Sequence, residues 1–222
     1  AYHLAGAGNL EAALEIYGKA SEGSFNGAQW LGAKLAEEQE RTGVIPEGKI
    51  ETTFLRAWVM LREGRKRDAM PLFQKVADSD LEKREVAISL HMIGNEHNRG
   101  QRKIAERELR RSIEIGRSLN NPFHVAQTLH SLANLLSKRD DRFAEAEAAF
   151  KESLAIGEQR GNDNHLAQVL RSYGLAVERR SADEAISLLR RSLDINRRRG
   201  NRRFVRVLEQ NIREIEKRAE IT

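Results

Sequence analysis

The sequence contains a block that recurs at a spacing of about forty residues. The three copies read LHMIGN, LHSLAN and LRSYGL, and they begin at residues 90, 129 and 170. A second block, which places a serine beside an aliphatic residue, begins at residues 111, 152 and 191. Repeats of this length are pairs of helices, and stacked pairs share a continuous core and leave one long surface for other macromolecules. The spacing therefore predicts an all-α protein, a right-handed α-solenoid of stacked antiparallel helix pairs.

Composition agrees with helices throughout the chain. There are three prolines, and the abundant Ala, Leu, Glu and Arg lose little rotamer freedom in a helix. Cysteine is absent from the sequence, which excludes disulfides and thiolate metal sites. The sequence shows no apolar run long enough to cross a bilayer, and its first residues do not resemble a signal peptide. We therefore expect a cytoplasmic protein without a membrane partner.

Charged residues of both signs are interleaved along the chain. They make up 32% of it and leave a net charge of +5, a pattern typical of solvated helix faces. One segment differs, because six arginines lie close together there: Arg197, Arg198, Arg199, Arg202, Arg203 and Arg206. Such a cluster is a candidate contact for phosphate or nucleic acid. Because arginines near the end of a helix also complement its dipole, nucleic acid is regarded as an unlikely partner.

The whole chain, residues 1–222, is predicted to be a single array. Residues 1–80 hold irregular, shorter repeats, 82–200 hold three long repeats, and 203–219 form a capping helix. The long repeats are expected to pair helices 82–98 with 102–118, 123–138 with 142–159, and 164–179 with 182–198. A helix predicted over 25–41 has no partner, so it is either an extra helix or a change in the pairing phase. Because the chain starts without methionine inside a predicted helix, we infer a fragment of a larger protein.

These blocks resemble the tetratricopeptide repeat, in which small residues allow the two helices of a pair to cross closely. Gly94, Ala133 and Gly174 take the small position of the first helix. The second helix has its small position at Ala105, Ala146 and Ala185, and its large one at Leu109, Phe150 and Leu189. Two places depart from the family pattern, an extra residue near Asp140 and a short turn around Ser181. The cap is expected to bury Phe204 together with Val207, Leu208, Ile212 and Ile215.

The longer copies are similar to the expanded repeats of kinesin light chains and of the sensor arrays of STAND nucleotide-switch proteins. The resemblance implies a scaffold that binds a protein or peptide, and a bacterial STAND-type parent is the preferred interpretation. In such arrays the first helices line an inner groove. Helical spacing then assigns ten residues to the groove: His91, Asn95, Arg99, Gln127, His130, Asn134, Lys138, Gln168, Arg171 and Arg179. Their positive bias favours an acidic segment or a C-terminal carboxylate as the partner.

Other kinds of site find less support in the sequence. His91 and His97 lie on different faces of a helix, so no metal is expected, and His124 and His165 are interpreted as turn or cap residues. No phosphate-binding loop or catalytic motif is present, so neither a cofactor nor enzymatic activity is expected. Three alternatives to a peptide groove stay open. In the first, the groove residues are ordinary solvated positions. In the second, the arginines form a nucleic-acid-binding transcription-regulatory module. In the third, an exposed N-terminal face mediates self-association.

Overall fold

A computed structural model describes residues 50–79, 81, 83–97 and 100–220. The helix predicted over 25–41 and the N-terminal face lie outside these residues. The chain divides into two compact units, Ala1–Asn121 and Pro122–Thr222, and each unit is described by itself.

The first unit contains four described helices. They are α1 (Ile50–Arg62), α2 (Lys66–Ala77), α3 (Arg84–His97) and α4 (Arg102–Ser118). Each helix packs against the next one, and α1 also contacts α3, so two helix pairs are stacked.

The core of the first unit is aromatic where α1 meets α2. Phe54, Trp58 and Phe73 pack edge to face, with ring centroids 5.9 to 6.2 Å apart, in the geometry that aromatic quadrupoles favour. Pro71 lies inside α2, which continues through it as far as Ala77. The helix therefore tolerates the lost backbone N–H, and the packing of its buried side holds it in place.

The second unit contains five helices and one short 3₁₀ turn. They are α5 (Pro122–Leu136), the turn Asp140–Arg142, α6 (Phe143–Gln159), α7 (Asp163–Val177), α8 (Ala182–Arg198) and α9 (Arg202–Ala219). Helices α5 and α6 form one pair and α7 and α8 the next, while α9 packs on α8. Every regular element in the described part of the chain is helical, so the prediction of an all-α fold with stacked helix pairs is confirmed.

Small residues stand where the helices of a pair cross. A Cβ atom built on Gly94 would lie 2.6 Å from Cγ of Leu109, and one on Gly174 would lie 3.0 Å from Cγ of Leu189. Both distances are shorter than an ordinary carbon–carbon contact. The predicted close crossing of first and second helices is therefore present in each unit.

The second helix of each long repeat ends in the same turn. Asn120, Gly161 and Gly200 have positive φ angles of 48°, 60° and 68°, in the left-handed region that ends many helices. The next residue is an asparagine in all three turns, and its N–H bonds back to the helix, for example from Asn162 to the carbonyl of Gly157 at 3.1 Å. The asparagine thus gives a fixed point from which positions in α5, α7 and α9 can be compared.

The two departures from the family pattern meet in the second unit. The Arg180 guanidinium carbon lies 3.7 Å from the centre of the Phe143 ring, and Arg180 Nη2 donates to Asp140 Oδ1 at 2.7 Å. A cation over a ring face is attracted by the ring quadrupole. The extra residue of one repeat and the short turn of the next therefore stabilise each other.

Helix α9 differs from the prediction in its first turn. Leu208, Ile212 and Ile215 are buried, but Phe204 is 40% exposed, so the prediction that Phe204 belongs to the core is wrong. The buried side of α9 begins at Leu208, one turn beyond Phe204. Among the described residues, no helix is long and apolar enough to span a membrane.

Candidate functional site

Those predicted groove residues that the structure describes are exposed or partly buried. In the first unit, Asn95 of α3 is exposed and His91 is partly buried. Arg99 lies outside the described residues. Most of the rest of α3, from Val86 to Leu90 with Ile93 and Gly94, is buried.

In the second unit the groove residues lie on two adjacent first helices, α5 and α7, except Lys138 and Arg179, which lie two residues beyond the helix ends. We call their accessible side the α5–α7 face, and it consists of Gln127, His130, Asn134, Lys138, Gln168, Arg171, Leu175 and Arg179. The imidazole Nε2 of His130 lies 2.9 Å from Ser172 Oγ, so a direct hydrogen bond joins the two helices. Helices α5 and α7 are therefore neighbours in this unit, and that their accessible residues form one binding surface stays a prediction.

Arg171 carries an unsatisfied donor on this face. Its Nε atom is buried and has no hydrogen-bond acceptor among the described residues. Leaving such a donor unpaired costs more than an ordinary hydrogen bond contributes. A guanidinium can donate to a carboxylate or a carbonyl oxygen, so an acceptor on a ligand would satisfy it once the Arg171 side chain turns to expose Nε.

Leu175 gives the α5–α7 face an apolar element. It occupies in α7 the repeat position that Asn134 has in α5, and it is 38% exposed. An exposed leucine between polar groups adds apolar contact area, while the polar groups around it fix the orientation of a bound segment. The surface therefore combines hydrogen-bonding groups with one hydrophobic contact.

A buried histidine lies directly behind the face. The rings of His130 and His165 are 6.1 Å apart, and His165 is only 7% exposed, with Nε2 2.9 Å from Ser153 Oγ. Burial lowers the pKa of His165 below its ordinary value of 6.5. His124 is also buried, so the prediction of simple turn or cap residues is wrong. The helix cap is Asn162, whose side chain accepts the N–H of His165.

Sequence reasoning missed a polar network around Tyr173. Its hydroxyl lies 3.0 Å from Glu147 Oε1 and 2.9 Å from Glu184 Oε1, and Lys151 donates to the same Glu147 oxygen at 2.6 Å. Burial and the two carboxylates raise the pKa of Tyr173 far above 10. The Lys151 and Tyr173 hydrogen bonds lower the pKa of Glu147. The sequence shows a tyrosine directly before the small residue Gly174, but the two carboxylates that its hydroxyl contacts lie on two other helices, so sequence spacing did not reveal the network.

The six predicted arginines do not act as one group. Arg197 pairs with Glu209 at 2.9 Å and with Asp194 at 3.9 Å, while Arg199 donates to Asn164 Oδ1 at 2.8 Å. The other four are exposed and make no ion pair with any described residue: Arg198, Arg202, Arg203 and Arg206. Two open hollows border this region.

Metal ligands are not gathered anywhere in the described part of the chain. No group of three or more His, Cys, Asp or Glu side chains lies close enough together there to hold a metal ion.

Comparison with known proteins identifies the repeat. Residues 85–159 match the family model of the tetratricopeptide repeat, so the resemblance is confirmed over the stretch from α3 to the end of α6. A search of curated protein sequences gave no match. A similar solved structure is that of a Rap protein complexed with competence and sporulation factor. It shares 14% identity and a TM-score of 0.50 with this chain, over 94% of this chain and 64% of the Rap chain. At this identity the likeness concerns the fold, and this chain spans less than two thirds of that protein.

Proposed function

We propose that the tetratricopeptide repeats of this chain bind a peptide or an extended protein segment, and that the α5–α7 face is the contact surface. The tetratricopeptide repeat is a protein-interaction scaffold, and the similar Rap protein was solved in a complex with a factor. The observation that carries the proposal is the buried Nε of Arg171, which lacks an acceptor within the described residues. We infer that the ligand provides it.

The side chains of the α5–α7 face limit the kinds of ligand that it can bind. Asn134, Gln127 and Gln168 can each donate to and accept from a peptide backbone. Arg171 and Arg179 give the face a positive character, which favours an acidic side chain or a terminal carboxylate. Leu175 adds one apolar contact. The proposed ligand is therefore an extended segment with a carboxylate near one hydrophobic side chain.

A peptide selection tests this proposal. The chain is presented with a displayed library of random heptapeptides with free C-termini, and enriched sequences are measured by fluorescence anisotropy. We expect Arg171→Gln to weaken their binding about tenfold or more, because a hydrogen bond to a charged group contributes about 1.5–3 kcal/mol. Enriched peptides that bind the variant as tightly as the original chain would overturn the proposal.

Two controls separate the face from general effects. Arg160→Gln removes one exposed positive charge at the end of α6, and we expect unchanged peptide affinity. Amidating the peptide C-terminus tests the carboxylate. If amidation weakens binding to the original chain as much as Arg171→Gln does, and does not weaken binding to the Arg171→Gln chain any further, then Arg171 contacts the peptide carboxylate.

The wider setting is also part of the proposal. We propose that the array recruits or senses a ligand for a larger cytosolic protein of the bacterial STAND type, without enzymatic activity of its own. Sequencing the flanking coding region tests this setting. A nucleotide-binding loop of the form GxxxxGK[ST] upstream of the repeats would support it, and a parent without a nucleotide-binding domain would contradict it.

A further inference from the structure

We propose that one side of α9, together with the end of α8, binds the phosphate backbone of nucleic acid. We call this side the α9 arginine row, and it consists of Arg202, Arg206 and Arg213. It lies apart from the α5–α7 face and is independent of the peptide proposal. It takes up the nucleic-acid alternative that the sequence leaves open, with a partly different set of arginines.

The register of the repeats makes the arginine row unusual. Counted from the asparagine that follows each positive-φ residue, Arg206 occupies the position of Ala126 in α5 and Ala167 in α7. By the same count, Arg213 occupies the position of Ala133 in α5 and Gly174 in α7. In α7, Gly174 lies against Leu189 of the second helix, and the carbonyls of Ala126 and Ala167 accept hydrogen bonds from the second helix of their own repeat.

An arginine at these positions prevents a second helix from packing closely against α9. At Gly174, even a single added Cβ atom would come within 3.1 Å of the Ala185 carbonyl oxygen and 3.0 Å of Leu189. The side of α9 that would match the pairing side of α7 therefore cannot accept a second helix in the way that α7 does. It presents guanidinium groups instead.

These guanidinium groups are not neutralised. Arg202, Arg206 and Arg213 are exposed and pair with no carboxylate among the described residues. Spacings of four and seven residues place them on one side of the helix, and at 1.5 Å per residue the row is roughly 16 Å long. A strand of duplex DNA carries one phosphate for about every 3.4 Å of helix axis, so several phosphates fall within this length.

Two open hollows border the α9 arginine row. An open hollow of about 620 Å³ is lined by Arg197, Gly200, Arg202, Val205 and Arg206. A second of about 450 Å³ reaches Arg213 and also borders Asp194 and Glu209, the two carboxylates that pair with Arg197. Both hollows border Arg197, so they continue one another beside the row. Arginine forks match phosphate oxygens in geometry.

Salt-dependent DNA binding by the full chain tests the proposal. The probe is a fluorescein-labelled 20-base-pair duplex of mixed sequence, and anisotropy is measured between 50 and 200 mM KCl. Three neutralised phosphates predict a slope of about −2.7 in the plot of log affinity against log salt. We expect the triple variant Arg202→Gln, Arg206→Gln and Arg213→Gln to lower the affinity at least tenfold and to flatten this slope.

A matched triple variant controls for net charge. Arg67→Gln, Arg102→Gln and Arg160→Gln removes three exposed positive charges outside α8 and α9, and we expect it to keep most of the affinity. An equal loss in both triple variants would overturn the assignment to the α9 arginine row. Far-ultraviolet circular dichroism checks that both variants keep their helices, which glutamine favours almost as well as arginine.

Competition identifies the class of partner. Unlabelled duplex should displace the probe at equimolar phosphate, while a polyglutamate peptide of equal charge should not. Displacement by polyglutamate at the same charge concentration would overturn the proposal in favour of an acidic protein. Arg171→Gln should leave DNA binding unchanged, so failure of the peptide proposal and failure of this one can be told apart.

Discussion

The hydroxyl of Ser112 on α4 donates a hydrogen bond to the carbonyl oxygen of Ala87 on α3 at 2.7 Å, and both residues are fully buried. The same bond recurs in the second unit, from Ser153 to Ala126 at 2.8 Å and from Ser192 to Ala167 at 2.7 Å. Each acceptor carbonyl lies four residues before a proposed groove residue, so it also receives that residue's helical N–H. The serine thus joins the second helix to the first, one turn before the predicted groove residue.

Replacing this serine should destabilise the chain modestly. We expect Ser112→Ala and Ser192→Ala each to lower the free energy of unfolding by about 1 kcal/mol, the usual net contribution of one hydrogen bond. The carbonyl keeps its helical partner, so no buried acceptor is left unsatisfied. Urea unfolding followed by circular dichroism measures the change.

Ser153→Ala should cost more than the other two serine substitutions. Ser153 Oγ also lies 2.9 Å from Nε2 of His165, so its removal leaves a buried ring nitrogen without that partner. Ser187→Ala is the control, since Ser187 is exposed on α8, and it should stay within about 0.5 kcal/mol. Equal effects of Ser153→Ala and Ser187→Ala would contradict the structural role of the bond.

Adding one methyl group at the helix crossing should destabilise the first unit. Gly94→Ala places Cβ 2.6 Å from Cγ of Leu109, and overpacking of this kind costs about 1–3 kcal/mol. Gly174→Ala meets Leu189 at 3.0 Å and should cost less. Thermal unfolding compares the two variants.

Two further variants show whether the clash is the cause. Gly100→Ala meets no atom within 4 Å and should leave the midpoint of unfolding unchanged or slightly higher. Leu109→Val, combined with Gly94→Ala, should cost less than the sum of the two single changes. Strict additivity in this cycle would speak against a direct contact.

Acid should weaken the second unit through His165. Because burial holds the folded-state pKa of His165 below 6.5, the unfolded chain binds the proton first as the pH falls. The stability is therefore complete above pH 6.5 and declines below it, until the folded form is protonated as well. Urea midpoints at pH 7.5 and pH 5.0 measure the decline. His165→Gln should reduce the difference between the two midpoints, and an unchanged difference would exclude His165 as the source.

The Tyr173 hydroxyl should contribute to the free energy of unfolding through its hydrogen bonds to charged carboxylates. Tyr173→Phe removes the donor that faces Glu147 and Glu184, and we expect a loss of about 1.5–3 kcal/mol. The pKa of Glu147 should rise only part of the way to its ordinary value, because Lys151 is the larger cause of its lowering. Carbon-13 NMR of labelled glutamate carboxyls measures the pKa. A Glu147 pKa unaffected by Tyr173→Phe would contradict the hydrogen bond.

Much of the fold follows from local pattern. The helix pairs predicted for the long repeats agree with the structure to within two residues at each end, because the apolar spacing and the turns at Gly161 and Gly200 act over a few neighbouring residues. The face assigned to Gln127, Asn134 and Gln168 was predictable for the same reason. Which of these positions bind a ligand is a prediction that the binding experiments decide.

Other features depended on contacts between helices that are distant in sequence. Phe204 and His165 occupy equivalent positions in α9 and α7, yet Phe204 is exposed and His165 is buried against Ser153. The residue types alone predict a buried phenylalanine and a more exposed histidine, because phenylalanine is buried more often than histidine.

The sequence by itself therefore determined the repeat, the helix pairs and the small residues at their crossings, since these follow from helical periodicity and side-chain size within each forty-residue copy. Only the tertiary structure decided which polar groups are satisfied. Ser112 donates a hydrogen bond to the carbonyl of Ala87, and the Tyr173 hydroxyl contacts two carboxylates. The Nε of Arg171 has no acceptor among the described residues. Hydrogen bonds form over about 3 Å and need a defined direction, and those distances are set by how neighbouring helices pack.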